Sequence, residues 1–247
     1  MKTSRRLAAA LTGLGLALGL LGSGHAAEKT RLLVVSGGHD FQTNLFFKVF
    51  AANPDVTFEK VTHPAAHAKL RPEAASSFDV LVLYDLWQPI TDEAKADLLA
   101  FLKAGKGLLV LHHAIANYQS WPEYEKIIGG RYYLAKTLVN GVEKAQSTYQ
   151  HDVDFPVKIA DLDHPVTRGL KDFTIHDETY GLFDMGTNSH LLLTADAPTS
   201  AKNIGWCKTY GPARVVYLQL GHDHLSWDNP SYRQLLAQAL RWVAKKD

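Results

Sequence analysis

Apolar and polar positions alternate in blocks along the chain. Arg31 to Ser36 is a short apolar run that stops at Gly37-Gly38, the pattern of a buried strand. Gln42 to Ala52 places Leu45, Phe46, Val49 and Phe50 at helical spacing on one face. Val56 to Thr62 alternates as a second strand, and Phe78 to Tyr84 reads as a third. Thr91 suits a helix N-cap, Asp92 and Glu93 favour the positive end of the helix dipole, and Gly105 closes that helix. Gly107 to Leu111 is continuously apolar, as central parallel strands are. Strands alternating with amphipathic helices imply an α/β sheet.

The second half is less regular. Trp121 to Ile128 predicts a short helix closed by Gly129-Gly130, while Lys136 to Gln150 is polar and gives no clear element. Val153 to Ala160 alternates and suits an edge strand. His190 to Thr194, Asn203 to Thr209 and Arg214 to Leu220 predict three more strands. Pro230 opens a last helix with Leu235, Leu236, Ala239, Leu240 and Val243 inward. No linker, repeat or charge run divides the chain, so a single domain over residues 27–247 is expected.

Composition narrows the class. The chain has 247 residues, 46% hydrophobic and 21% charged, which excludes a disordered or fibrous protein. One cysteine excludes an intramolecular disulfide, a thiolate zinc site and an iron–sulfur cluster. Lys2, Arg5 and Arg6 precede an apolar run from Leu7 to Gly22, followed by Gly24-His25-Ala26. This matches a secretory signal peptide over residues 1–26, cut after Ala26. The apolar run has 16 residues and holds four glycines, short for a membrane span. No cysteine near the cut allows a lipid anchor, and Ser4-Arg5-Arg6 leaves the general and twin-arginine export routes both open. A periplasmic or secreted protein without a membrane span is expected. Removing the leader leaves 23 basic against 25 acidic side chains, a net charge of −2, which does not suit nucleic acid.

Ligands of open α/β sheets bind beyond the carboxyl ends of the strands. Three strands here end in polar clusters: Ser36-Gly37-Gly38-His39-Asp40-Phe41, Leu111-His112-His113-Ala114, and Leu220-Gly221-His222-Asp223-His224. A fourth cluster, His176-Asp177-Glu178, follows the turn His164-Pro165-Val166-Thr167-Arg168-Gly169-Leu170. Seven of the twelve histidines fall in or beside these clusters. The first cluster lacks the third glycine of a dinucleotide fingerprint, so no nucleotide is expected. Strand side chains alternate, so one of His112 and His113 is expected to face a given site, with His112 preferred. His176 and Glu178 share a face if the segment is extended, which suits metal ligation or an acid–base pair. The candidate catalytic groups are His112, Glu178, His39 and Asp40. The candidate metal ligands are His112, His176, Glu178 and His222. Without thiolates this set favours a borderline divalent ion, zinc or manganese. Trp87, Trp121 and Trp227 follow strands and suit stacking on the apolar face of a sugar. With Tyr124 and Arg131 they make up the candidate substrate-binding set.

Several of these stretches also match a known family in order. They are Gly37-Gly38-His39-Asp40-Phe41, Gly107 to Ala114, Trp121-Pro122-Glu123-Tyr124 through Gly129-Gly130-Arg131, His164 to Leu170 through His176-Asp177-Glu178-Thr179-Tyr180-Gly181, and Gly221 to Pro230. The chain resembles the ThuA-like (trehalose utilisation) proteins of the class I glutamine amidotransferase-like superfamily. The resemblance implies a three-layer, flavodoxin-like α/β fold with a mostly parallel central sheet. It also implies a role in the use of trehalose, sucrose and related glycosides through 3-keto sugars, with a small carbohydrate as substrate. Glutamine amidotransferases carry a nucleophilic cysteine on the elbow after the strand that corresponds to Gly107 to Leu111. Here the elbow reads His112-His113-Ala114, and Cys207 lies in another strand, which excludes a thiol glutaminase.

Two mechanisms fit the residues. In one, His112, His176, Glu178 and His222 hold an ion that polarises a sugar carbonyl. In the other, a neutral histidine takes a proton beside a 3-keto group while Glu178 or Asp40 returns one. Spacing does not choose between them, and either would make a lyase, isomerase or hydrolase of keto-glycosides. The alternative is a non-catalytic module that binds carbohydrate or a partner. The crowding of titrating groups at strand ends argues for the enzyme. The oligomeric state is left open.

Overall fold

Period-two alternation gives each central strand two apolar faces. Leu32, Val34, Val80, Val82, Val216 and Leu218 point into one core, and Leu33, Val35, Leu81, Leu83, Val215 and Tyr217 into the other. A sheet buried on both sides must be covered by helices on both sides, which makes three layers. The computed structural model describes residues 28–247, so the proposed leader and its cut after Ala26 lie outside the described residues.

The first half runs β1 (Thr30–Gly37), α1 (Thr43–Ala51), β2 (Val56–Thr62), α2 (Ala66–Leu70), α3 (Pro72–Ala75), β3 (Val80–Asp85), α4 (Asp92–Lys103) and β4 (Gly107–Leu111). A 3-10 turn over His112–Ala116 leads to α5 (Pro122–Ile128), β5 (Gly130–Arg131) and a hairpin of β6 (Thr137–Val139) and β7 (Val142–Lys144). Then come β8 (Thr148–Ile159), β9 (Phe173–Gly181), β10 (Asp184–Met185), β11 (His190–Ala195), β12 (Asn203–Tyr210) and β13 (Ala213–Leu218). The chain closes with α6 (His224–Trp227) and α7 (Pro230–Val243). As the sequence suggests, Thr91 caps α4 by accepting the Ala94 N–H at 3.2 Å. Asn229 caps α7 ahead of Pro230. Each such cap is worth about 1 kcal/mol.

Nine strands form one sheet in the order β2-β1-β3-β4-β13-β12-β11-β8-β9. The first five are parallel, in the order of a flavodoxin-like doubly wound sheet. The last four are an antiparallel wing. The chain starts in β1 and steps outward to β2 on one side and to β3 on the other. That reversal opens a crevice at their carboxyl ends.

The wing departs from the sequence reading. Val153 to Ala160 falls mainly in β8, which is interior, because β9 pairs along its far side. The edge strand is β9, which hides from pattern reading because its buried positions include Asp177, Glu178 and Thr179. The unassigned stretch from Lys136 to Gln150 holds the β6–β7 hairpin and the start of β8. β8 carries an irregularity between Gln150 and Val153, with Asp152 at φ 56°. Among the described residues no helix is long and apolar enough to cross a membrane.

Candidate active site at the carboxyl edge of the sheet

β4 ends at Leu111, and His112 adopts a left-handed φ of 53° as the chain turns sharply into the 3-10 segment. A β-carbon residue in that region is costly and usually marks a functional constraint. The turn projects the fully buried His112 ring over the end of the sheet. Its Nδ1–H donates to the Gln219 carbonyl at 2.6 Å, which leaves Nε2 to face the site. Glu178, from β9, brings Oε2 to 2.9 Å from His112 Nε2. His222, in the loop after β13, brings Nδ1 to 3.2 Å from the same oxygen and 3.2 Å from His112 Nε2. The Tyr180 hydroxyl lies 2.9 Å from His112 Nε2, and the second Glu178 oxygen lies 3.3 Å from His151 Nδ1.

Electrostatics follow from this packing. Burial pushes the Glu178 carboxyl up, but hydrogen bonds and charge attraction from His112 and His222 outweigh it and hold it well below the usual carboxylate range. Burial lowers His222, while the Glu178 bond and charge more than compensate and raise it. Burial and then the Glu178 charge raise the Tyr180 phenol well above its ordinary value, so it stays a neutral donor.

These three side chains fit a cation. Ligand atoms held about 2.0–2.1 Å from one ion lie roughly 2.8–3.4 Å apart, the lower end octahedral and the upper end tetrahedral. His112 Nε2, Glu178 Oε2 and His222 Nδ1 form a triangle with edges of 2.9, 3.2 and 3.2 Å. They are the one group of three or more such ligands among the described residues. The Nδ1–H of His112 on a backbone carbonyl is the outer-shell bond that metal-binding histidines usually make. With that proton on Nδ1, a neutral His112 turns a bare lone pair toward the carboxylate. The Tyr180 hydroxyl can donate to that lone pair, and a cation or a second proton would also relieve the contact.

A second imidazole pair lies beside the first. His39 Nδ1–H donates to the Asp40 carbonyl at 2.7 Å, and its Nε2 meets His113 Nε2. Burial lowers the pKa of both rings, that of His113 much further. A cavity of about 470 Å³ opens over the two groups, with His39, His113, Glu178 and His222 on its wall. Trp87 and Tyr149 stand at this cavity 62% and 63% exposed.

The structure thus brings together His112, Glu178 and His222, and places His39, Asp40 and Trp87 on the same cavity. His176, expected as a ligand, is not in the triangle. It turns to the acidic residues of the β8 irregularity, Nδ1 3.0 Å from Asp154 and Nε2 3.5 Å from Asp152. Tyr124 and Trp227, expected to bind substrate, are buried structural groups. Tyr124 donates to the Ala114 carbonyl at 2.8 Å, and Trp227 packs on Phe46 and donates to the Gly221 carbonyl at 2.7 Å. Trp121 and Arg131 border a separate small cleft by α5, where Arg131 pairs with Glu125 at 3.4 Å.

Sequence reasoning missed His113, Tyr149 and His151, and gave Tyr180 no role. The alternation argument against His113 fails because the strand stops at Leu111. The polar run Asp177 to Tyr180 was the available signal, since a buried polar strand needs a reason.

A doubly wound sheet with a sharp elbow after its fourth strand places this chain among glutamine amidotransferase-like folds, here with imidazole at the elbow. The ThuA (trehalose utilisation) family pattern matches residues 31–243, and the chain belongs to that family. Among solved structures it is similar to a ThuA-like protein of Parabacteroides merdae, at 18% identity over 88% of this chain and 90% of that one, TM-score 0.75. A ThuA-like protein of Bacteroides uniformis is similar at 20% identity over 92% and 96% of the two chains, TM-score 0.69. A glutamine amidotransferase of Thermotoga maritima shares the fold at 13% identity over 88% and 99%, TM-score 0.53. Among curated proteins none matches the chain.

Proposed function

We propose that the protein is an exported enzyme of carbohydrate use that acts on a keto-glycoside, with a divalent ion held by His112, Glu178 and His222. The observation that carries this reading is the triangle of ligand atoms, 2.9, 3.2 and 3.2 Å on edge, at the wall of a ligand-sized cavity. Zinc or manganese bound there would supply a Lewis acid for a sugar carbonyl. His39 is the base. Its Nδ1–H is committed to the Asp40 carbonyl and burial favours the neutral ring, so the lone pair is on Nε2, which meets His113 at the cavity wall and must leave that contact to take a substrate proton. A keto group acidifies the adjacent C–H. His39 takes that proton, and the electron pair forms the enolate double bond. Return of the proton to the former carbonyl carbon, with the hydroxyl on the deprotonated carbon giving up its own proton to become the new carbonyl, isomerises the sugar. Alternatively the enolate restores its carbonyl, forms a C=C bond to the next carbon and expels the substituent held there with its electron pair, which is elimination. Trp87 and Tyr149 offer rings to the sugar's apolar face. Residues 1–26 would deliver the protein to the periplasm, leaving Ala27 as the mature N-terminus.

The test is incubation with 3-keto-trehalose and 3-keto-glucosides, with products followed by NMR. Exhaustive chelation should abolish turnover, and zinc or manganese should restore it. Full activity after chelation, with no metal by elemental analysis, would leave the metal-free route through His39 and Glu178. No turnover of any keto-glycoside would leave the non-catalytic binding module.

A further inference from the structure

The third ligand is held in an unusual way. His222 sits in a loop beyond β13, and the peptide that carries it is fixed by side chains. The Gly221 N–H donates to Asp177 Oδ2 at 2.7 Å, and the His222 N–H donates to Asp177 Oδ1 at 2.9 Å. The same Oδ1 accepts the Glu178 N–H at 2.9 Å. On the carbonyl side, Trp227 Nε1–H donates to Gly221 at 2.7 Å, and the Tyr84 hydroxyl lies 3.1 Å from both the Gly221 and the His222 oxygens. Gly221 has φ 118°, and a β-carbon there would come 2.6 Å from the Tyr232 hydroxyl. The loop therefore has little freedom to find the position by itself.

Asp177 is 2% exposed and lies on the opposite face of β9 from Glu178. A buried carboxylate is tolerated when several N–H groups surround it, and here all three come from the backbone that carries two of the ligands. We infer that Asp177 is a positioning residue: it locks the Gly221–His222 peptide to β9 and so sets the distance between His222 Nδ1 and Glu178 Oε2. One dipeptide, Asp177-Glu178, then places two of the three ligands, Glu178 directly and His222 through the clamp. This inference rests on the metal reading for its consequence, because such outer-shell partners typically govern affinity by about 10–100-fold.

The experiment measures Zn²⁺ alone, in competition with a chromophoric chelator, on the full-length mature protein and on Asp177→Asn, His222→Ala and the double variant. Asp177→Asn should bind zinc roughly 10–100-fold more weakly. In the double variant it should add nothing beyond His222→Ala, because the clamp acts through that ring. Wild-type affinity in Asp177→Asn overturns the inference, and so does an equal loss in the His222→Ala background. If the wild-type protein takes up no zinc, the metal reading falls. A crystal structure of Asp177→Asn then decides: a displaced His222 supports the clamp, and His222 Nδ1 still 3.2 Å from Glu178 Oε2 overturns it. Should Asp177→Asn fail to fold, Asp177→Glu, which keeps the charge but moves the carboxylate, undergoes the same measurements with the same outcomes.

Discussion

Asp85 ends β3 fully buried, and neither carboxylate oxygen has a hydrogen-bond partner among the described residues. Burial pushes its pKa up to about 7. An unfolded aspartate titrates near about 4. The folded state therefore holds a proton that the unfolded state releases between those values. Stability is full below about pH 4, declines as pH rises, and reaches its floor above about pH 7. The gap of about three units, at about 1.4 kcal/mol each, amounts to about 4 kcal/mol. Asn is nearly isosteric with the protonated acid and cannot ionise. Asp85→Asn should match the wild type near pH 4 and exceed it progressively, by about 4 kcal/mol at pH 8. Urea denaturation of both proteins at pH 4, 6 and 8 measures this directly. Curves that stay parallel across that range would refute the buried-acid argument, because the difference must grow with pH if Asp85 titrates as described.

Three further outcomes are expected. Glu178→Gln and His112→Ala should each reduce keto-glycoside turnover at least about a hundredfold in protein shown to be folded. A loss under about tenfold in steady-state rates would take both groups out of the reaction. Trp87→Ala should raise KM by roughly tenfold and leave kcat near its original value, since a ring at the mouth contributes stacking only; a fall in kcat at constant KM contradicts that role. Cys207→Ser should retain full turnover, because the thiol is buried in β12 against His164, away from the cavity lining, with its pKa pushed up to about 12. Inactivation of a folded Cys207→Ser protein would reopen thiol chemistry.

Legibility in the sequence followed burial type. β1, β3, β4 and β13 were readable because strands covered on both faces need continuous apolar residues, and Thr91 and Pro230 announced the helices α4 and α7. β9 was not, because its inner positions are spent on Asp177, Glu178 and Tyr180, and the hydrophobic signal that marks a strand is weakened. Polar residues at buried positions have to be held by partners elsewhere in the chain. For Asp177 those partners are Gly221 and His222, more than forty residues away, so the local hydrophobic pattern marks the strand only weakly.

The same reasoning separates the candidate site residues that spacing could find from those it could not. His112 and His222 stood out as polar groups at strand ends, where a doubly wound sheet gathers its ligands, and Glu178 stood out in the polar cluster after the His164 to Leu170 turn. His176 was grouped with Glu178 on spacing alone, and spacing says nothing about the acidic irregularity in β8 that draws its ring to Asp152 and Asp154. His113 was set aside by an alternation rule valid only while the strand lasts. At an elbow two consecutive side chains can serve adjoining groups, and His112 and His113 do so, one in the triangle with Glu178 and the other against His39. A sharp turn at a strand end therefore concentrates more chemistry than the strand's period allows, and the left-handed φ of His112 is the conformational cost of that concentration.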